Sequence, residues 1–274
     1  MLGWIKLLGQ QVRRNSSDDP DEFRLSLVEH LEELRTCIIR CAWVLMLLWI
    51  VIAAFNFDGF LVKKVISQVK LLVPKGTSVD FVFPHLVAPF MVHMRLSFQL
   101  ALVIAAPFLV LQLWSFVAPG LKASERAPLQ KIAPFTVLLF ATGVFFCWQI
   151  LPAAYGWFLG YVPDYGEAKL MQDISMLVNF TFMMLLAFGL GFQLPVLTWV
   201  LSKVGVITPT FIKRSWRQLS VGIFILSAVL TPSNDIFSML MMAVPLTGMF
   251  AATAGVILLN AKNAPRDPLL DDLD

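Results

Sequence analysis

Long uncharged runs alternate with short polar connections along the chain. Such runs are typical of helices that cross a bilayer core about 30 Å thick, which takes ~20 helical residues. The first run continues an amphipathic segment that starts at Leu27, so one long helix is expected there. The pattern predicts an all-α membrane protein with six transmembrane helices, in the runs 41–57, 96–117, 132–162, 174–202, 219–230 and 236–259.

The fifth run is too short to cross a bilayer by itself. Its 12 residues make about 18 Å of helix, against a hydrocarbon core of about 30 Å. Either flanking polar residues enter the membrane or the lipid thins beside the helix. The turn at residues 231–235 (Thr-Pro-Ser-Asn-Asp) is tight, so spans 5 and 6 are expected to form a short hairpin.

The basic residues predict the orientation of the chain, because loops rich in lysine and arginine stay in the cytoplasm. Six spans put both termini on one side. Fifteen lysines and arginines lie on that side, five lie in the other connections, and Arg95 stands alone at the head of span 2. Both termini are therefore expected in the cytoplasm. The predicted organisation is a cytoplasmic tail (1–24), a six-helix membrane domain (25–260) and a C-terminal cytoplasmic tail (261–274).

Two connections on the opposite face are long, at residues 58–89 and 163–173. Within the first, charges recur on one side at helical spacing over residues 60–72, which indicates a helix lying on the outer surface. We hypothesise that the two segments together cap a concavity embedded in the membrane.

Composition agrees with a membrane protein. The 274 residues are 58% hydrophobic and 14% charged, whereas soluble domains have about 25% charged residues. Cys37, Cys41 and Cys147 show no metal-ligand spacing and are expected to be small buried apolar residues. No cofactor or metal is expected. Arg13 and Arg14 precede acidic residues rather than an apolar core, so they do not mark a cleavable signal.

A short acidic segment precedes the first span. Ser26 and Glu29 have the spacing of a capping box, and Glu32 can pair with Arg35 on the same helix. Glu33 is then left without an intrahelical cation. An unpaired carboxylate near low-dielectric material attracts guanidinium groups. The alternatives are a solvated surface carboxylate, or one paired with a basic loop residue.

Several motifs resemble those of TatC, the large subunit of the twin-arginine protein translocase. They occur in the family's order and cover about residues 26–260. They are His30-Leu31-Glu32-Glu33-Leu34-Arg35, Ala88-Pro89-Phe90, Ala106-Pro107, Gln112-Leu113-Trp114-Ser115-Phe116-Val117-Ala118-Pro119-Gly120-Leu121, Glu125-Arg126, Phe188-Gly189-Leu190-Gly191-Phe192-Gln193-Leu194-Pro195-Val196 and Leu230-Thr231-Pro232-Ser233-Asn234-Asp235-Ile236-Phe237-Ser238.

The resemblance implies a receptor for signal peptides that carry two consecutive arginines. It would work with single-span subunits of the TatA/TatB type, in a homo-oligomer within a larger complex of the inner (cytoplasmic) membrane, with no nucleic acid. The complex would export folded proteins with the proton-motive force. Carried over residue by residue, the resemblance implies that Glu33 and Glu125 bind the signal peptide, with His30, Leu34, Arg35 and Arg126 as supporting residues of the motifs. The alternative for Glu125 is an acid favoured by the helix dipole at the start of span 3, and the two roles are compatible.

Two positions depart from the family pattern. Gln193 stands where the family usually has glutamate, so a role that needs a charge or a titrating proton is in doubt there. A hydrogen-bonding role remains, either to backbone carbonyls freed by Pro195 or to a partner helix. Met239 stands where the family commonly has glutamine, so the polar patch for partner helices is expected to be weaker or shifted.

Two further charged residues match family positions. Asp235 matches an acidic residue of the last outer turn, although local physics alone favours an ordinary turn residue. Arg95 matches a basic position, and a snorkelling membrane anchor explains it most simply.

Other classes of function have less support. No P-loop or HExxH motif occurs, so no enzyme is expected. The alternative is a six-span secondary transporter of small solutes. Ionisable residues, which mark transport pathways, are nearly absent from the apolar runs, and no inverted repeat relates the two halves.

Overall fold

The computed structural model describes residues 27–55, 57–74, 79–117, 123–162, 170–203, 205–233 and 235–262. For residues 27–30, 57–58, 114–117, 123–133 and 261–262 it describes the backbone alone. The elements within these ranges are α1 (Leu27–Phe55), α2 (Phe57–Leu72), β1 (Val79–Val82), α3 (Ala88–Val117), α4 (Ala123–Leu159), β2 (Leu170–Asp173), α5 (Ile174–Gly191), α6 (Leu194–Lys203), α7 (Pro209–Leu230) and α8 (Ile236–Lys262).

Five helical segments within the described ranges are long and apolar enough to cross a membrane. They correspond to five of the six predicted spans and are Leu31–Phe55, Ala88–Leu113, Pro134–Leu159, Ile174–Lys203 and Ile236–Asn260. The predicted fifth span lies in α7, which is not among them. Its first half carries the exposed cations Lys213, Arg214 and Arg217. The fold is therefore a helical membrane protein with five spans of full length, and the six-span count stays a prediction.

The predicted fourth span, residues 174–202, corresponds to the membrane-length segment Ile174–Lys203, which is made of two consecutive helices. Helix α5 ends at Gly191 and α6 begins at Leu194. Pro195 occupies the second position of α6, where its missing N–H is tolerated. Within the break, the N–H of Gln193 donates to the Leu190 carbonyl at 3.0 Å. The helix thus tightens by one residue before it stops.

A two-stranded parallel sheet joins the two long connections, so the all-α prediction is wrong in this detail. Val79 pairs with Leu170 and Val82 pairs with Asp173. Helix α3 begins shortly after β1, and α5 begins directly after β2. The sheet therefore marks the end of the bundle where α3 and α5 begin, which we term the strand end.

Helix α2 confirms the helix predicted in the first long connection. It packs against α4 and α3, and its Val65 and Val69 side chains are buried in the core. Its position relative to a membrane surface stays a prediction.

The core is built around α5, which packs against both α4 and α3. Glycines let α4 and α5 approach closely. A Cβ on Gly143 would lie 2.7 Å from the Phe188 carbonyl oxygen, and one on Gly189 would lie 2.5 Å from the Phe140 ring. Small residues at helix crossings serve this purpose in membrane proteins.

Candidate functional site

The first turns of α1 carry exposed charges. Glu32, Glu33 and Arg35 are exposed, and Leu34 is half-buried. No ion pair joins Glu32 to Arg35 in the described structure, so the pairing expected from their spacing is absent. Exposed pairs gain only about 0–1 kcal/mol and must order two long side chains. Two carboxylates are therefore available here, rather than Glu33 alone. The side chain of His30 and the capping box of Ser26 and Glu29 lie outside the described residues.

Two contacts set the direction of α1 against α3. The Cys37 thiol donates to the Gln112 carbonyl at 3.5 Å, and the Trp49 indole N–H donates to the Met94 carbonyl at 3.3 Å. Helix α1 therefore runs antiparallel to α3, and the start of α1 lies beside the end of α3. This end of the bundle is opposite to the strand end.

Glu125 belongs to the same end as Glu33. Helix α4 begins at Ala123, shortly after α3 ends at Val117. Glu125 and Arg126 are thus in the first turn of α4, which favours an acid at Glu125 through the helix dipole. The side chains of Glu125 and Arg126 are outside the described residues. The topology brings Glu33 and Glu125 to one end of the molecule.

Gln193 lies at the break in the fourth span and is buried, with 9% of its surface exposed. Because its backbone N–H has turned to Leu190, the Gly189 carbonyl lacks the usual helical donor. The Gln193 side-chain Nε2 donates to that carbonyl at 3.4 Å and to the Thr136 carbonyl of α4 at 3.3 Å. Of the two roles considered, these contacts correspond to capping of the backbone. Pro195 has no N–H, so it leaves the Gly191 carbonyl without its helical donor. The carbonyl that Gln193 caps in α5 is instead that of Gly189.

One side of Gln193 remains unused. Its Oε1 atom is buried and accepts no hydrogen bond from any described residue, and the neighbouring Thr136 hydroxyl is likewise without a described partner. A buried polar atom of this kind needs a donor that none of the described residues supplies.

Asp235 caps the start of α8. Its Oδ1 accepts a hydrogen bond from the Ser238 N–H at 2.7 Å. Burial alone would raise the pKa of Asp235, but the donors around it outweigh burial and lower the pKa. They are the Ser233 hydroxyl, the Ser238 N–H and hydroxyl, and the Phe237 N–H. The second oxygen, Oδ2, is buried and makes no hydrogen bond of good geometry within the described structure.

A shallow groove of about 290 Å³ lies along α7 and the start of α8, and its lining is almost wholly apolar. Met239 contributes to it, at the position where a glutamine was expected from the family pattern. The Ser220 hydroxyl donates to the Trp216 carbonyl at 3.0 Å, so this donor is already used. The groove is lined by Ser220, Val221, Phe224, Ile225, Ala228 and Met239.

The structure contains a polar recess at the strand end that the sequence analysis did not predict. It brings Arg95 and Gln99 of α3 together with Asp173 and Asn179 from β2 and α5. A signal for it was present: Arg95 and Gln99 are four residues apart, hence on one helical face, and Asn179 is a second amide inside an apolar run. No group of three or more potential metal ligands occurs among the described residues.

Several membrane-length helices packed around a central broken span define a multi-span integral membrane protein. The chain belongs to the TatC family, because the family described as Sec-independent protein translocase protein (TatC) matches residues 29–245. TatC of Carboxydothermus hydrogenoformans is 32% identical over 81% of this chain and 88% of its own length. TatC of Escherichia coli K12 is 27% identical over 82% of this chain and 84% of its own length.

Solved structures agree with this assignment. A crystal structure of the twin-arginine translocase receptor TatC has a TM-score of 0.71 and 24% identity, and it covers 84% of this chain and 99% of its own. A second crystal structure of that receptor, in DDM, has a TM-score of 0.66 and 26% identity over the same shares. The protein is thus a multi-pass membrane component of a Sec-independent protein translocase.

Proposed function

We propose that this protein is the receptor of a twin-arginine translocation system and binds twin-arginine signal peptides at the end of the bundle that carries Glu33 and Glu125. The exposed, unpaired carboxylate of Glu33 on α1 carries the proposal. The topology gives it a second carboxylate, Glu125, at the same end. The crystal structure of a protein described as a twin-arginine translocase receptor, which has the same fold, supports it further.

The chemistry of the ligand follows from the carboxylates. A guanidinium donates two parallel hydrogen bonds to one carboxylate, whereas an ammonium is a point charge without this fork. Two carboxylates at one end of the bundle therefore suit two neighbouring arginines better than two lysines. Because Glu32 is also exposed and unpaired, the structure leaves it as a competitor for this role.

The membrane arrangement belongs to the same proposal. The chain has six spans, α7 being the short fifth, and both termini lie in the cytoplasm. The protein resides in the inner (cytoplasmic) membrane, so the Glu33 end faces the cytoplasm, where signal peptides arrive. The distribution of basic residues supports this orientation.

Single-span subunits of the TatA/TatB type are recruited at the membrane-facing side. The apolar groove of α7 and α8 suits a transmembrane helix that packs by van der Waals contact. The unused Oε1 of Gln193 offers one acceptor to a polar group of such a helix. With these partners, and as a homo-oligomer, the receptor exports folded proteins with the proton-motive force.

Binding of signal peptides to the purified protein in nanodiscs tests the receptor role. A twin-arginine peptide is expected to bind at least tenfold more tightly than its twin-lysine variant, since each charge-assisted bidentate contact is worth about 1.5–3 kcal/mol. Glu33→Gln should remove most of this preference, and Glu33→Gln with Glu125→Gln should abolish it. Glu32→Gln is the matched control, because it removes a neighbouring exposed carboxylate.

The outcomes are distinct. Equal binding of both peptides to the unmutated protein would contradict the receptor proposal. A loss of preference in Glu32→Gln, with Glu33→Gln unaffected, would keep the receptor but assign the contact to Glu32.

A further inference from the structure

The polar recess at the strand end lies between α3 and α5, and the proposed receptor function does not use it. Its volume is about 230 Å³. The residues from α3 recur every three or four positions and so form one face of that helix. The polar and charged residues of the lining are His85, Arg95, Gln99, Asp173, Ser175 and Asn179.

Gln99 is buried at the level of Asn179, with 5% of its surface exposed. Its Nε2 donates to the Asn179 Oδ1 at 2.7 Å, while its Oε1 is buried and accepts no hydrogen bond from any described residue. Turning both amides end for end would keep the bond between them and leave the Gln99 NH₂ free instead. In either arrangement, the pair leaves one buried polar group that a ligand can satisfy.

Arg95 lines the same recess one helical turn closer to the strand end. It is seven residues into α3, about 10 Å from the start of that helix, and within the membrane-length segment Ala88–Leu113. Asp173 also lines the recess, yet no ion pair joins Arg95 to any described residue. A guanidinium at this depth requires an anion or water.

Of the recess residues Asp173, Arg95, Gln99 and Asn179, Asp173 lies nearest to the strand end. One of its carboxylate oxygens caps α5 by accepting from the Ser175 N–H at 2.7 Å. Asn179 follows six residues later, about 9 Å further along the helix. The recess therefore presents, from the strand end inward, a carboxylate, a guanidinium and an amide pair.

We propose that this recess binds the head group of phosphatidylethanolamine. That lipid carries an ammonium, a phosphate and ester carbonyls in the same order. The ammonium binds the Asp173 carboxylate and the phosphate binds Arg95. With both amides turned end for end, the Gln99 NH₂ donates to an ester carbonyl. The apolar residues Met91, Val92 and Leu96 belong to the same face of α3.

Lipid binding to the delipidated full-length protein in detergent tests the site. The probes are short-chain phosphatidylethanolamine, phosphatidylcholine, phosphatidylglycerol and inorganic phosphate, titrated by calorimetry. Phosphatidylethanolamine is expected to bind about tenfold or more tightly than the others, because choline has no N–H to donate and glycerol has no positive charge. Inorganic phosphate can use Arg95 alone and should bind most weakly.

Three substitutions separate the contacts. Arg95→Gln should weaken binding of phosphatidylethanolamine about tenfold or more, since a charge-assisted hydrogen bond is lost. Asp173→Asn keeps a residue that caps a helix and should remove the preference over phosphatidylglycerol. Gln99→Leu should weaken binding of every lipid tested. Lys63→Gln is the control, because it removes an exposed cation of α2 outside the recess, and it should leave binding unchanged.

Unchanged phosphatidylethanolamine binding in Arg95→Gln, or equal binding of phosphatidylcholine, would overturn the proposal. Inorganic phosphate that binds as tightly as the lipid would show a site for a free anion and would overturn it too. Should Arg95→Gln fail to fold, Asp173→Asn decides, because its cap is preserved. None of these results depends on signal-peptide binding, so they leave the proposed function to its own test.

Discussion

The fourth span and the first helix of this protein differ most in how far the rest of the chain surrounds them. In the fourth span, Ile174–Lys203, 61% of the most apolar 18-residue stretch is buried inside the protein. In Leu31–Phe55 of α1, the corresponding share is 6%. Helix α5 packs against α4 and α3, whereas α1 packs mainly against α3. The two helices must therefore be stabilised by different partners: protein for the fourth span, and largely lipid for the first.

The polar residues of the two regions also differ, being hydrogen-bonded in the fourth span and exposed in α1. In the fourth span, the Thr181 hydroxyl bonds the Tyr155 hydroxyl of α4 at 2.6 Å, and Gln193 caps the carbonyls of Gly189 and Thr136. In α1, Glu32 and Glu33 are exposed and unpaired. The central span uses its polar groups to hold the fold. The peripheral helix leaves its charges exposed. Under the proposed receptor role, changes at Glu33 should therefore alter peptide binding without altering stability.

The largest expected difference between the two regions is in thiol reactivity. Cys37 and Cys41 of α1 are partly exposed, whereas Cys147 of α4 is fully buried. In detergent, an apolar maleimide dye should label Cys37 and Cys41 in Cys147→Ala at least tenfold faster than it labels Cys147 in Cys37→Ala with Cys41→Ala. The reason is that Cys147 reacts only after the core opens.

Labelling of the same variants in denaturant provides the control, because it gives the intrinsic reactivity of each thiol. If Cys37 and Cys41 are protected from labelling as strongly as Cys147 in the native protein, α1 is packed as firmly as the core. That result would contradict the difference proposed between the two regions.

The next largest effect is expected at the crossing of α4 and α5. A Cβ at Gly143 would lie 2.7 Å from the Phe188 carbonyl oxygen and 2.9 Å from the Phe192 Cβ, neither of which moves easily. Gly143→Ala should therefore destabilise the protein by about 1–3 kcal/mol, the usual range for overpacking. The measurement is thermal unfolding followed by labelling of Cys147.

Gly248→Ala is the matched control, because nothing lies within 4 Å of a Cβ at that position of α8. It should be neutral or slightly stabilising, since alanine favours helix more than glycine does. Equal unfolding temperatures for the two variants would show that α4 and α5 can separate at no cost.

The helical architecture was predictable because apolar runs report membrane helices directly. The predicted helix from Leu27 and the predicted sixth run correspond closely to α1 and α8. Helix α7 has 22 residues and is long enough for a span, but its apolar run is short, so it lacks the hydropathy of the five membrane-length segments. The position, length and hydropathy of a helix depend on the residues within it, so they can be read directly from the sequence.

Features that depend on distant residues were not predictable. The strands Val79–Val82 and Leu170–Asp173 are four residues each, and the paired residues Val79 and Leu170 are 91 positions apart in the sequence. The recess likewise needs α3 and α5 side by side before Arg95 and Asn179 become neighbours. The assumed pairing of Glu32 with Arg35 failed for an energetic reason, since the gain of an exposed pair is too small to fix it.

The smallest expected effect is at Gln193, and it tests whether capping holds the break in the fourth span. Gln193→Met keeps the volume but removes the donor to the Gly189 and Thr136 carbonyls, while it also removes the unpaired Oε1. The lost hydrogen bonds destabilise the fold, whereas removal of the unpaired buried oxygen stabilises it. The net destabilisation is therefore expected to be about 1 kcal/mol. Glu33→Gln, in the exposed part of α1, should change stability by less than about 0.5 kcal/mol. If Gln193→Met unfolds at the same temperature as Glu33→Gln, packing alone holds the break, and the polar groups of the central span contribute no more to the fold than those of α1.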